Sequence, residues 1–304
     1  MTITTWLQSW LQNYVTPISK PRTAEAYRGL ATHITRHIGE EQLESITPIT
    51  LQALVSALEQ GDKPLSKSTI NSVITVLQGA LKTAFATGLT QAYLADKIKR
   101  PRTEERKISA FTKEEQRLIE QSLEKTKKPK MLGILLMLYT GIRVGELLAL
   151  EWTDLDLLTA TLSVTKTAYD SKEGRKTSSP KTASSRRIVP IPRQLIPLLK
   201  EMKKQSKSPY VIESRGKPVG VRSYQRSFEL LLKKLNIPHR GTHSLRHTFA
   251  TRAIECGMDV KTLSEILGHK NATVTLNRYA HSLMEHKKEQ MNRLGKLFTG
   301  VHLI

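Results

Sequence analysis

Cysteine is almost missing from this chain: among 304 residues only Cys256 carries a thiol. A single thiol excludes an internal disulfide framework and any cysteine-based metal cluster. Its setting, Arg252-Ala-Ile-Glu-Cys256-Gly257 near a helix end, predicts a small packing residue rather than a nucleophile. Long apolar runs are missing as well. The longest, Met131 to Tyr139, falls far short of the ~20 residues that a bilayer-spanning helix needs. The start, Met1-Thr-Ile-Thr-Thr-Trp6, lacks the basic and apolar segments of a signal peptide, so a cytoplasmic protein with no membrane partner is expected. Acidic residues are scarce too, with 27 Asp and Glu against 48 Lys and Arg, a formal net charge of +21. That excess, and a sequence pI near 10.0, point to a polyanionic partner, because each cation that neutralises a DNA phosphate releases condensed counterions.

The hydrophobic content of 38% is ample for real cores, and the length suits one or two domains. The first ~100 residues read as a small helical bundle. Helices are predicted over roughly 4–14 and 23–38, then from Thr47-Pro48, an N-cap with proline at the first helical position. Ser66 opens another, with Ile70, Val73, Ile74, Leu77, Ala80, Leu81 and Ala84 at three-and-four spacing up to Gly88. The charge-dense stretch Lys97-Ile-Lys-Arg-Pro-Arg-Thr-Glu-Glu-Arg-Lys107 is read as a basic linker able to track a groove, giving domains over 1–98 and 108–304 with the linker at 99–107.

The second domain opens at Phe111, with a Thr112-x-x-Glu115 capping box before a helix to about Leu123. Met131–Tyr139 is predicted as a buried helix that breaks at Thr140-Gly141 and resumes over Val144–Leu150. Strand signals are confined to Thr161–Thr165 and Ile188–Ile191, which flank a polar stretch holding Lys181. After Pro192 the chain reads as helical, with stops at Gly257 and Gly268.

Four clusters hold the chemistry: Gly141-Ile-Arg143 with Glu146, His243-Ser-Leu-Arg246, Leu267-Gly-His269, and Tyr279. Arginine grips phosphate oxygens with two coplanar donors, and tyrosine can act as a covalent nucleophile. Glu146, three residues beyond Arg143 on one helical face, is placed to pair with it and to preorganise it. His243 and Arg246 lie one turn apart after Thr242, a prospective cap, so both sit where a helix N-terminus collects anions. His243 and His247 also have metal-ligand spacing. A zinc hydrolase of that type needs glutamate where Ser244 stands, however, so no metal or other cofactor is expected.

Taken together, Thr140-Gly-Ile-Arg143-Val-Gly-Glu146-Leu, His243-Ser-Leu-Arg246-His-Thr-Phe-Ala-Thr, Leu267-Gly-His269 and Tyr279-Ala-His281 resemble the tyrosine recombinase (phage-type integrase) family in order, spacing and local sequence. The resemblance covers 108–304 and extends more weakly over the N-terminal ~100 residues, which look like the family's core-binding domain. Pro180-Lys181-Thr-Ala-Ser-Ser-Arg-Arg-Ile-Val-Pro190 is similar to its lysine-bearing β-hairpin. Tyr93-Leu-Ala-Asp departs from the Asn-Pro that commonly ends the family's first domain. An arm-site-binding N-terminal domain of the larger phage integrases is not expected.

The resemblance implies a mainly α fold with a small β-hairpin or sheet, built as a two-domain C-shaped DNA clamp. It implies Tyr279 as nucleophile, Arg143 and Arg246 as phosphate clamps, His269 as a further phosphate donor, His243 as proton acceptor and Lys181 as general acid. The implied activity is cleavage and rejoining of DNA through a 3′-phosphotyrosyl bond and a four-way junction, for integration, excision or resolution of a mobile element. A Xer-type dimer resolvase, a type IB topoisomerase-like enzyme and a binding-only regulator are the alternatives. The implied partners are duplex DNA with inverted-repeat core sites, three further copies of the chain in a tetramer, and an accessory DNA-bending protein. The partly apolar stripe Leu283, Met291, Leu294, Leu297 and Phe298 then belongs to a C-terminal helix docked in trans.

Overall fold

The computed structural model describes residues 1–61, 63–103, 110–124, 126, 128–171, 173–179, 186–269, 288, 291–292 and 294–295. The chain divides into two compact units, Met1–Arg106 and Lys107–Ile304.

In the first unit α1 (Ile3–Trp10), α2 (Pro21–Ile38), α3 (Pro48–Gln60) and α4 (Lys67–Ala86) enclose one apolar core. The predicted first helix changes character partway: Leu11–Val15 forms a single π-helical turn. Helix starts follow the predicted chemistry, since Thr47 and Ser66 accept the backbone N–H groups of Thr50 and Thr69 at 3.2 and 3.3 Å. Two indoles lock α1 to α4: Trp6 Nε1 donates to Ala80 O at 3.1 Å and Trp10 Nε1 to Thr83 Oγ1 at 3.0 Å. The start of the basic stretch is tied down rather than loose. Arg100 donates to Asn71 O, Thr75 Oγ1 and Gln78 Oε1, and Ile98 is buried.

The second unit contains α5 (Lys113–Glu124), α6 (Pro129–Thr140) and α7 (Val144–Ala149), then β1 (Leu155–Asp156), β2 (Thr161–Val164), β3 (Thr167–Ser171), β4 (Gly174–Ser178) and β5 (Arg187–Pro190). It continues through α8 (Ile196–Gln205), β6 (Glu213–Ser214), β7 (Lys217–Pro218), α9 (Val221–Lys234), α10 (His243–Glu255) and α11 (Val260–Leu267). The capping box forms as predicted, with Thr112 N–H on Glu115 Oε2 at 2.9 Å and Glu115 N–H on Thr112 Oγ1 at 3.1 Å. Helix α6 is buried from Leu132 to Leu138 and lies at the centre of the core.

Strands β1, β2 and β5 make an antiparallel sheet, and the two predicted strands pair with each other: Leu162 faces Val189, and Val164 faces Arg187. Strand structure is not confined to them, which corrects the sequence reading. Strands β3 and β4 form a separate hairpin, and β6–β7 a second one. Hairpin β3–β4 escapes a hydrophobicity reading because Ala168 is the only buried residue among its described residues. It is pinned instead by Asp170, whose carboxylate accepts the Val221 and Arg222 N–H groups at the start of α9. Hairpin β6–β7 turns through Arg215 and Gly216, both at positive φ, as a two-residue primed turn requires. Among the described residues no helix is long and apolar enough to cross a membrane.

Candidate active site

The site grows from helix ends. Helix α6 stops because Gly141 adopts φ +66° and αL geometry. A Cβ at that position would lie 2.4 Å from Phe249 Cδ1 and 2.9 Å from Leu267 Cδ2, so only glycine permits both the turn and the close packing. Gly141→Ala is therefore expected to destabilise the second unit by on the order of 1–3 kcal/mol, read as a lowered melting temperature of the full chain; an unchanged melting curve would contradict this packing.

Two residues on, Arg143 occupies the N-cap of α7. Glu146 Oε2 accepts its backbone N–H at 2.8 Å and Oε1 accepts its Nη1 at 2.7 Å, which is the pairing read from the i, i+3 spacing. Arg143 keeps 37% of its side chain exposed while Glu146 keeps 6%, so the carboxylate anchors a guanidinium that still reaches solvent.

Arg246 on α10 is only 2% exposed. A buried guanidinium is costly unless its donors are satisfied. Its Nη1 donates to Gly141 O at 2.8 Å and its Nη2 to Leu267 O at 2.5 Å. Both carbonyls sit at helix C-termini, where backbone acceptors lack intrahelical partners and the dipole favours a cation. Arg246 thus joins the ends of α6 and α11 and fixes its own plane.

Helix α11 closes in a Schellman motif, with His269 N–H on Ser264 O and Gly268 N–H on Glu265 O, both at 3.0 Å, and Gly268 at φ +63°. That motif sets the backbone of half-buried His269. His243 and Arg246 lie one turn apart on α10, but they differ in depth: His243 is exposed and Arg246 is buried. The His243 ring meets buried His247 edge-on, with centroids 4.9 Å apart. Among the described residues no group of three or more His, Cys, Asp or Glu is placed to hold a metal ion.

Two local readings are corrected. Thr242 is itself helical, at φ −54° and ψ −20°, and makes no side-chain cap; Ser244 Oγ donates to Gly241 O at 2.7 Å instead. Cys256 is exposed rather than packed, because the buried face of α10 has already passed at Ala253 and Ile254. Lys181 and Tyr279 lie outside the described residues, as do Leu283, Leu297 and Phe298; Met291 and Leu294 are helical and exposed.

One residue of the site was not singled out from sequence. Arg187, on β5, donates Nη2 to Glu146 Oε2 at 2.9 Å, Nη1 to Glu146 Oε1 at 3.2 Å and Nε to Ile266 O at 2.5 Å. Its side chain is 6% exposed. Burial opposes ionisation of Glu146, but the hydrogen bond and charge of Arg187, followed by the charge and backbone N–H of Arg143, hold its carboxyl below the ordinary 4.5. A folded-state pKa below the unfolded value contributes stability that is present above pH 4.5 and lost as pH falls through the depressed value. Glu146→Gln is expected to flatten that acid limb in melting curves taken from pH 6 downward; an unchanged limb would assign the acid sensitivity to other carboxyls.

A mainly helical frame that gathers guanidinium groups at helix ends, in a chain of net charge +21, fits the class of enzymes that work on the phosphodiesters of nucleic acid. Residues 109–286 match the phage integrase family, and residues 2–58 match the N-terminal SAM-like domain of phage integrases. Across 96% of its length the chain is 32% identical to the tyrosine recombinase XerC-like protein of Caldanaerobacter subterraneus subsp. tengcongensis, covering 82% of that protein. It is 31% identical to the transposase from transposon Tn916 of Enterococcus faecalis, over 64% of this chain and 50% of that one. In fold it is similar to the Tn1549 transposon integrase in complex with a circular intermediate DNA, with TM-score 0.81, 23% identity and coverage of 96% and 99%. It is also similar to a lambda integrase dimer bound to a COC′ core site, with TM-score 0.73, 22% identity and coverage of 91% and 95%. The chain belongs to the phage integrase family of tyrosine recombinases, enzymes of site-specific DNA recombination.

Proposed function

We propose that this recombinase cuts and rejoins duplex DNA at inverted-repeat core sites to integrate, excise or resolve a mobile element. The observation that supports this reading is the placement of Arg143 and Arg246 about Gly141: Arg246 is held on that residue's carbonyl, and Arg143 caps the helix that starts just after it. Relatives and fold neighbours named as transposon enzymes support the mobile-element reading. The relative named XerC-like keeps dimer resolution as the second reading.

In the proposed reaction Tyr279 Oη attacks the scissile phosphorus, and the bond to the 5′-oxygen breaks. The phenolic proton passes toward His243, and Lys181 gives a proton to the leaving 5′-oxygen. Arg143 and Arg246 clamp the non-bridging oxygens, where charge grows in the transition state, and His269 adds a donor. An ordinary phenol has a pKa near ~10, so attack near neutral pH relies on the local positive field and a neighbouring base. The phosphotyrosyl bond conserves the energy of the diester, and rejoining is the same step reversed with a new 5′-hydroxyl.

The domains proposed are a core-binding unit over 1–98, a basic linker over 99–107 and a catalytic unit over 108–304. Four copies would act on two duplexes, with the helix carrying exposed Met291 and Leu294 docked on a neighbour; a lambda integrase tetramer bound to a Holliday junction is among the fold neighbours. An accessory DNA-bending protein belongs to the same proposal.

The test is covalent-adduct formation on a nicked suicide substrate, with and without excess EDTA and across a salt series. Adduct formation is expected to be undiminished by EDTA, while half-site affinity falls steeply and linearly in log salt. Strand cutting that stops when metal is chelated would overturn this mechanism.

A further inference from the structure

We infer that Arg187 is a positioning residue of the strand-cutting site, registering β5 against α7 and α11 so that Arg143, Arg246 and His269 are held in one frame. This rests on the proposed function and extends it to a residue outside the six that the resemblance assigns.

The register of β2 with β5 sets Arg187 opposite Val164 on the buried face, while Ile188 turns outward and is 68% exposed. A strand that buries arginine and exposes isoleucine runs against hydrophobic sorting. The inward position is filled by a guanidinium that three acceptors fit. Its two terminal nitrogens fork onto the two oxygens of Glu146, and its Nε reaches Ile266 O.

Glu146 is the relay. Each of its oxygens takes one bond from Arg187 and one from Arg143: Oε1 from Arg143 Nη1 at 2.7 Å, Oε2 from the Arg143 backbone N–H at 2.8 Å. The carboxylate plane set by the buried arginine therefore dictates where the half-exposed one points. On the other side Arg187 and Arg246 grip consecutive carbonyls, Ile266 and Leu267, at the end of α11. Arg187 also lies flat on Gly268, where a Cβ would come within 2.9 Å of Nη1, 3.1 Å of Cδ and 3.2 Å of Cζ. The residue after that glycine is His269.

A lysine at this position keeps one positive charge beside Glu146 but cannot fork onto the carboxylate and reach Ile266 O together. R187K separates positioning from charge neutralisation, and R187M removes both. The full-length protein is assayed for half-site affinity, melting temperature and single-turnover adduct formation on the suicide substrate. R187K is expected to bind a half-site within about threefold of wild type and to form adduct on the order of 100-fold more slowly, the scale of a misplaced reacting group. R187M is expected to be at least as slow. With Arg187 gone, Glu146 faces Arg143 alone, so the acid limb of the R187M melting curves should move to higher pH.

Wild-type cleavage by R187K would show that charge alone is needed and would overturn the inference. So would loss of adduct only in proportion to loss of folded protein in both variants, which assigns Arg187 a purely structural role. An inert wild-type enzyme on the same substrate fails the proposed function itself, an outcome read from the control alone.

Discussion

Tyr279→Phe is expected to bind a half-site with wild-type affinity and to form no covalent adduct. The substitution removes one hydroxyl and keeps the ring, so whatever the ring packs against is retained while the proposed nucleophile is lost. Nothing else in the proposed set substitutes for it, because the other members are cations or imidazoles that stabilise charge or move protons. The expected effect is complete loss of adduct within detection. A phosphotyrosyl adduct from this variant on a nicked substrate would remove Tyr279 from the mechanism.

Arg246→Lys carries the second-largest effect. Wild-type Arg246 spans two helix ends, Gly141 O and Leu267 O, with separate nitrogens of one rigid plane. An ammonium is a point donor on a flexible stem and cannot hold both carbonyls while presenting a flat donor edge to phosphate. Loss of one donor to a developing oxyanion typically reduces the rate by about 10²–10³-fold, and here orientation is lost as well. Single-turnover cleavage should fall by at least about that much, with half-site binding changed far less. A melting curve run beside it separates catalysis from folding, since a buried position is being altered. Near wild-type recombination would mean that Arg246 serves the fold alone.

Much of this arrangement was legible along the chain because it is local. Thr47, Ser66 and the Thr112–Glu115 pair announce helix starts, and Gly141 and Gly268 announce stops that the structure realises at positive φ. The Arg143–Glu146 contact follows from spacing on one helical face. What was hidden depends on tertiary partners or on a departure from hydrophobic sorting. Arg246 meets a carbonyl 105 residues away, a partner that no pattern within α10 suggests. Arg187 is hidden in the sequence because Ile188-Val-Pro-Ile191 reads as the apolar strand face, whereas the pairing with β2 turns Ile188 to solvent and its neighbour inward. Hairpin β3–β4 is hidden for a related reason: it is held by a helix cap from Asp170 and a glycine turn rather than by apolar alternation. The Thr242 and Cys256 readings failed at helix termini, where one residue of displacement changes a cap or a packing position into something else.

The measurement that bears most directly on the whole account is identification of the amino acid joined to DNA. Wild-type protein is trapped on a nicked suicide substrate in EDTA, the complex is digested, and the nucleotide-bearing peptide is sequenced by mass spectrometry. The account requires the peptide around Asn277-Arg278-Tyr279-Ala-His281, with the modification on Tyr279 through a 3′-phosphate. Attachment through any other residue, or strand cutting with no covalent protein–DNA species, would contradict it.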